Sequence, residues 1–462
     1  MQGMARKIGA YYDDRDYFAQ LYRLAAPIAF QNLMIASLVM VANVMVGQLG
    51  DDPIAAVALA GQVFFLLNLI LFGVGSGSAM FTAQLWGNKD IASLRKVLGL
   101  CLAVGVLIAG IFLILSEVIP AQILGIFTQD PQVIALGSAY LRVFAWSFLF
   151  FSITSGFAAV LRSIGEVKLP LIVSVSALAL NVLLNYLLIF GRFGFPRLGI
   201  QGAAIAAVIS RALECLVLLL SSYRQKNPIT AGWAELLGFD SSFVVKMFKP
   251  VLPVIANELL WSLAITTYSI VYARIGTSSL DAMNIVGTVD NIALVPFLGL
   301  SGAVAIMVGN KIGAGEYDAA YKYIGRTLCL AIVIAIAVGG IVLAVREPVL
   351  SLYRVTPDVV LYARQALLVL GFWLTIRSQN MILIIGAFRS GGDTRFSLVL
   401  DGLIIWVLGV PMALLGAFVL RLPVYWVYLM VMSEELTKFL IGLRRYFSRK
   451  WIHDLTGQNT PA

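Results

Sequence analysis

Apolar runs of about twenty residues follow one another along the whole chain, and that recurrence limits the fold more than anything else in it. A run of this length crosses the hydrocarbon of a bilayer as a helix, because a helix satisfies its own backbone hydrogen bonds where no water can. A barrel would need alternating apolar and polar residues, and that pattern is missing. The expected fold class is therefore an all-α integral membrane protein. Composition agrees: 60% of the 462 residues are hydrophobic and 12% charged, whereas soluble domains are about 25% charged. The opening stretch, MQGMARKIGAYYDDRDYF, is too polar for a cleaved signal peptide, so the first span is expected to be retained. Cys101, Cys215 and Cys329 lie far apart inside apolar spans, without metal spacing, and are read as core residues with no disulfide.

Twelve transmembrane helices are expected, at 22–47, 54–82, 97–118, 133–158, 169–190, 199–221, 250–272, 280–308, 324–345, 359–387, 396–419 and 423–443. Their connections are short except at Ser222–Lys249, a polar stretch with an expected surface helix near Trp233–Leu237. The chain then divides into an N-terminal six-helix lobe (1–221), a cytoplasmic linker (222–249) and a C-terminal six-helix lobe with a cytoplasmic tail (250–462). Twenty-two Lys and Arg residues, Lys89, Arg162, Arg389 and Arg444 among them, fall on one side of this arrangement. Six fall on the other: Arg192, Arg197, Arg274, Arg346, Arg354 and Arg421. That bias puts both termini in the cytoplasm and the protein in the cell (plasma or inner) membrane. It also explains the net charge of +9 through topology and anionic lipid, with no need for nucleic acid.

The two lobes are pseudo-symmetric. A shift of 226 residues lays Pro27 on Pro253, Gly50 on Gly276, Gly87 on Gly313 and Pro131 on Pro357. With one residue more, LRSIGEVK (Leu161–Lys168) falls on FRSGGDTR (Phe388–Arg395), so that Arg162 matches Arg389. Repeats of six spans each have parallel topology, related by an axis along the membrane normal, and a substrate would bind between lobes that alternate in access.

Several motifs then resemble one family. MVGQLG (Met45–Gly50), LRSIGEVKLP, NVLLNYLLIFG (Asn181–Gly191), VGNKIGAGE (Val308–Glu316) and FRSGGDT occur in the order found in the multidrug and toxic compound extrusion transporters. The resemblance covers almost the whole chain. It implies two six-helix lobes about a central cleft and a secondary antiporter that exports hydrophobic or cationic organic compounds in exchange for H⁺ or Na⁺. It also implies small-molecule substrates, membrane lipid as surroundings and no cofactor. Relatives often carry acids where this chain has Ala42 (just before Asn43), Asn185 and Ser378. The N-terminal carboxylate site is therefore expected to be absent, which leaves coupling to the other lobe.

That lobe holds Glu258, Asp290 and Asp401 as cation-coupling candidates, with Na⁺ possible at Glu258 and no other metal. A carboxylate near a span's middle is costly, and binding H⁺ or Na⁺ neutralises it. A structural hydrogen bond to a neighbouring helix is the competing use of Glu258, and pairing with a basic side chain such as Arg395 that of Asp401. Pro253 and Pro296 would free carbonyls for a cation. Arg377 is a candidate gate, as counter-ion of Glu258 or Asp401. Asn43, Asn181 and Asn185 are candidates for substrate contact or gating, although amides at helical spacing more often bridge helices. Arg211, Glu214, Glu434, Glu435 and Lys438 are expected at the cytoplasmic ends of their spans, where long side chains reach water.

Other classes fit poorly. No GxxxxGK[ST] loop serves an ATP-driven pump, and with His453 alone in the tail and no HExxH motif an enzyme is not expected. A lipid-linked oligosaccharide flippase of the same superfamily is the alternative, but it would need several cations for a pyrophosphate, and Arg377 stands nearly alone. A functional monomer is expected, since each lobe has its partner in the same chain.

Overall fold

The computed structural model describes residues 14–457, apart from the side chain of Asn43. The described residues are helical almost throughout. The first half runs through α1 (Arg15–Gly47), α2 (Asp51–Gly87), α3 (Ile91–Val118), α4 (Pro120–Gly125), α5 (Pro131–Ala145), α6 (Ser147–Ser163), α7 (Lys168–Phe190) and α8 (Ile200–Arg224). A short α9 (Trp233–Leu236) leads to α10 (Ser241–Ile275), α11 (Thr277–Ala293), α12 (Val295–Gly313) and α13 (Tyr317–Ser351). Then come α14 (Pro357–Arg389), α15 (Thr394–Val419), α16 (Val424–Val431) and α17 (Ser433–Phe447).

The repeat reappears in where helices begin. Asp51 and Thr277, Ile91 and Tyr317, Pro131 and Pro357, and Lys168 and Thr394 are starts 226 residues apart. Ten helices among the described residues are long and apolar enough to cross a membrane, and α5 with α6, bent by 46°, makes an eleventh. The segment expected at 423–443 is interrupted at Met432 into α16 and α17, 8 and 15 residues long. Neither piece reaches spanning length alone, and Glu434, Glu435 and Lys438 dilute the hydropathy of the second. Pro296 marks another break, because it cannot donate to the preceding turn, and α11 gives way to α12 at Leu294. By contrast α10 continues through Pro250 and Pro253.

Contacts gather the helices into two compact units. One comprises residues 31–251, the other the residues up to Phe30 with those from Leu252 onward. The division falls within α1 and α10, each time near a proline, Pro27 or Pro253. It differs from one drawn at 221 and 250 in giving the first turns of α1 to the C-terminal half and the polar stretch 222–249 to the other unit. There α9 rests on α3, with the Leu236 carbonyl against Gly99 where a side chain would not fit.

Large apolar side chains such as Leu107, Ile114, Val333 and Ile336 are more than half exposed. In lipid this exposure carries no penalty, so packing must come from close backbone approach. Gly339 of α13 and Gly371 of α14 supply it: a Cβ on Gly339 would lie 2.5 Å from the Gly371 carbonyl oxygen. Cys101 and Cys215 are buried as expected, but Cys329 is exposed on α13, whose outward face is apolar.

Candidate functional site

In the unit of residues 31–251, α1, α2, α5, α7 and α8 enclose a cavity of about 570 Å³. Its wall is largely aromatic and aliphatic, with Phe64, Tyr140 and Phe144 prominent. The rings support one another: Phe64 and Phe144 lie 5.6 Å apart edge to face, and Tyr140 stacks on Phe144 at 5.3 Å. Asn181, Arg211 and Glu214 supply polar lining. Asn185 Nδ2 donates to Asn181 Oδ1 at 3.1 Å within α7, and Asn185 is buried, so of these two amides only Asn181 lines the cavity.

Arg211 and Glu214 correct the sequence reading. They do not decorate a helix end. Arg211 bonds Glu214 at 2.7 Å and lies over Phe151 at 4.9 Å, while the Glu214 side chain is only 2% exposed. This unit therefore does contain a buried carboxylate, one turn along α8 from its cation. Ala42 lines the same cavity. Asn43 is in α1, but its side chain lies outside the described residues.

The other unit holds a seam of ion pairs. Glu258, at the centre of α10, meets Arg389 at the end of α14 at 2.7 Å. Both side chains are nearly buried, 12% and 7% exposed. Arg377 of α14 is counter-ion to Asp290 of α11 at 2.5 Å, and neither Glu258 nor Asp401 takes that place. Asp401 of α15 accepts from Lys438 of α17 at 3.1 Å and from Asn257 of α10 at 3.0 Å, so its cation is not Arg395. Glu435 accepts from Asn380 at 2.6 Å and stands 4.0 Å from Arg377. Tyr268 donates to Glu434 at 3.1 Å. Like Glu214, the residues Glu434 and Lys438 are buried rather than exposed at a span's end. Ser378 returns its hydroxyl to Thr375 of its own helix.

Backbone irregularity accompanies this seam. The end of α14 (Ile382–Arg389) and three stretches of α15 are π-helical, and they contain Arg389 and Asp401. A π-turn accommodates one extra residue and often occurs at functional positions. The sequence repeat also gains its extra residue between Pro357 and Arg389. Glu258, Asp290, Asp401 and Arg377 thus come together in one unit. Of the residues that meet them, Asn257 escapes the sequence reading, Arg389 enters it only as a loop residue matched to Arg162, and Glu434, Glu435 and Lys438 only as charges at a span's end, although the i, i+4 spacing of Glu434 and Lys438 is visible in it.

Comparison with known proteins follows the same repeat. The family model described as MatE matches residues 27–187 and again 253–439, starting 226 residues apart at Pro27 and Pro253. The chain is 27% identical over 405 residues to "Probable multidrug resistance protein YoeA" of Bacillus subtilis, covering 87% of each. It is 30% identical over 387 residues to "Probable multidrug resistance protein NorM" of Rhizobium meliloti, covering 79% of each. The structure of the Vibrio cholerae MATE transporter VcmN in the bent form superposes with a TM-score of 0.86 at 18% identity, over 95% of this chain and 99% of that one. At that identity the likeness concerns the fold.

Proposed function

We propose, from the premise that this chain belongs to the MatE family, that it is a secondary antiporter exporting hydrophobic or cationic organic compounds in exchange for H⁺ or Na⁺. The observation that carries this reading is the twofold family match, which spans both halves of the chain. The multidrug resistance names of its relatives support it. Its work is then transport without a chemical step, by a monomer in the cell membrane with both termini in the cytoplasm.

Glu258 is the leading coupling residue, with Asp290 and Asp401 beside it. Bound to Arg389 it is already neutralised, so an incoming H⁺ or Na⁺ has to replace the guanidinium. That exchange supplies a switch: the carboxylate is always partnered, but by a fixed cation in one state and a mobile one in the other. Arg377 gates in the same sense through Asp290. The aromatic wall of the cavity in residues 31–251 suits an apolar ligand by contact area, and its rings attract a cation. Asn181 would orient that ligand, while Asn185 holds Asn181 in position.

The test is transport by purified protein in vesicles with pH and Na⁺ gradients imposed separately. Export of an amphiphilic dye should follow one gradient, and Glu258→Gln should lose that drive. Full-rate export by the variant under either gradient would remove Glu258 from coupling. Movement of a lipid-linked precursor but of no dye would identify a flippase instead.

A further inference from the structure

Charge does not balance around α17. Among the described residues, five carboxylates (Glu258, Asp290, Asp401, Glu434 and Glu435) meet three cations (Arg377, Arg389 and Lys438) in the seam. Two pairs are close and one to one, Glu258 with Arg389 at 2.7 Å and Asp290 with Arg377 at 2.5 Å. Lys438 is left to serve both Asp401, at 3.1 Å, and Glu434, at 3.8 Å. Asp401 has the shorter contact and a second donor in Asn257. Glu435 has Asn380 at 2.6 Å. Glu435 is also 4.0 Å from Arg377 and 17% exposed, whereas Glu434 has only the shared Lys438 and a side chain 4% exposed.

The surroundings of Glu434 offer one hydroxyl donor and, among the described residues, no second cation. From α10 it faces the Tyr268 hydroxyl at 3.1 Å, with Tyr272 near, and Tyr428 of α16 stands beside Tyr272. From α15 it faces Asp401 and the backbone of Gly409, and from its own helix Glu435 and Lys438. Lys438 is the one cation in that set, and two members are carboxylates whose charge opposes ionisation. The first turn of α17 is no open helix end, because the Glu435 and Leu436 N–H groups return to the Met432 carbonyl. Glu434 is packed hard against α15: a Cβ added to Gly409 would collide with Glu434 Oε2 and with the Tyr268 hydroxyl. A proton needs no room, and taking one costs less than burying a carboxylate without its own counter-ion.

We propose that Glu434 is protonated in this state and is a proton-binding group of the transport cycle. When it ionises, its proton passes to water or to Asp401, and Lys438 moves from Asp401 toward the new carboxylate. The proton site thus stands one helix away from Glu258, and Lys438 links Glu434 to Asp401. The coupling role rests on the antiporter reading above; the protonation does not.

Infrared spectroscopy of the purified protein tests the protonation directly, through the carbonyl stretch of a protonated carboxyl followed as pH is raised. The band should be present in the wild type, titrate away, be missing in Glu434→Gln and shift frequency in Glu434→Asp, while Asp401→Glu leaves its frequency in place. A wild type without the band, a band that survives Glu434→Gln, or a shift caused by Asp401→Glu alone overturns the proposal. The frequency shifts keep the test decisive if the glutamine variant folds poorly. In vesicles, Glu434→Gln should lose flux driven by a pH gradient, and retained drive would remove Glu434 from coupling. A titrating band in a protein that shows no gradient-driven flux would count against the antiporter reading and leave the protonation standing.

Discussion

At equivalent places in the repeat, the two units set an arginine against different partners. In residues 31–251, Arg162 reaches the Gln31 amide oxygen at 3.5 Å, a long and weak hydrogen bond. In the other unit its counterpart Arg389 closes on Glu258 at 2.7 Å. The repeat matches Glu258 to Asn32 and Asn257 to Gln31, so the same helix-to-helix approach is made twice, once with neutral partners and once with a charge. A buried charge is found in the first unit as well, but on α8, where Arg211 and Glu214 share one helix and face the cavity. Pairing within one helix leaves neighbouring helices independent, whereas pairing across α10 and α14 ties them together. Duplication therefore preserved the scaffold while its charges were redistributed.

The contrast stands or falls first on Arg389. Arg389→Gln strands a nearly buried carboxylate and should destabilise the protein by about 3–5 kcal/mol. Arg162→Gln removes only a weak bond to an amide and should cost about 1 kcal/mol or less. Unfolding of the two purified variants gives the comparison, and equal losses would mean the units differ in name only. A smaller effect is expected from Gln31→Glu, which places a carboxylate beside Arg162: a gain of roughly 1 kcal/mol at most, since an ion pair must offset its desolvation. A loss would show that Arg162 does not tolerate beside it the charge that Arg389 meets in the other unit.

The smallest effect belongs to an ion pair at the rim of the unit that holds Arg389. Asp14, before α1, is held below the ordinary carboxylate range by the Tyr17 N–H and by Arg326 of α13. A depressed carboxylate adds stability above its unfolded pKa, about 4, and loses it as pH falls through the lower folded value. Unfolding midpoints measured through that acid window should therefore fall less steeply in Asp14→Asn than in the wild type. Identical slopes would show that the pair contributes nothing, which half-exposed pairs often do not.

Much of the fold is legible in the sequence because spans and repeats are written in local chemistry. Pro131 with Pro357 mark helix starts and Gly87 with Gly313 helix ends, whatever surrounds them. The segment at 423–443 is harder to read, since hydropathy alone does not show that Met432 interrupts it. The site is legible in part: Glu258, Asp290 and Asp401 announce themselves as charges in apolar spans, but their counter-ions do not. Arg377 looks as suitable for Glu258 as Arg389 does, and only packing assigns it to Asp290. Arg211 with Glu214 and Glu434 with Lys438 sit within reach of span ends, where charges commonly face water. Whether they do depends on which helix lies beside them, and no spacing along one helix encodes that.

The π-helical end of α14 gives the Glu258 and Arg389 pair an unusual kind of slack. In a regular α-helix one residue fewer turns everything beyond it by about 100°. Here the same loss closes a π-turn to an α-turn, and the helix beyond keeps its direction. A single-codon deletion within Ile382–Arg389 that spares Arg389 is thus a change this stretch can take up, whereas the same deletion in an α-helical stretch of α10 would carry Glu258 away from its partner.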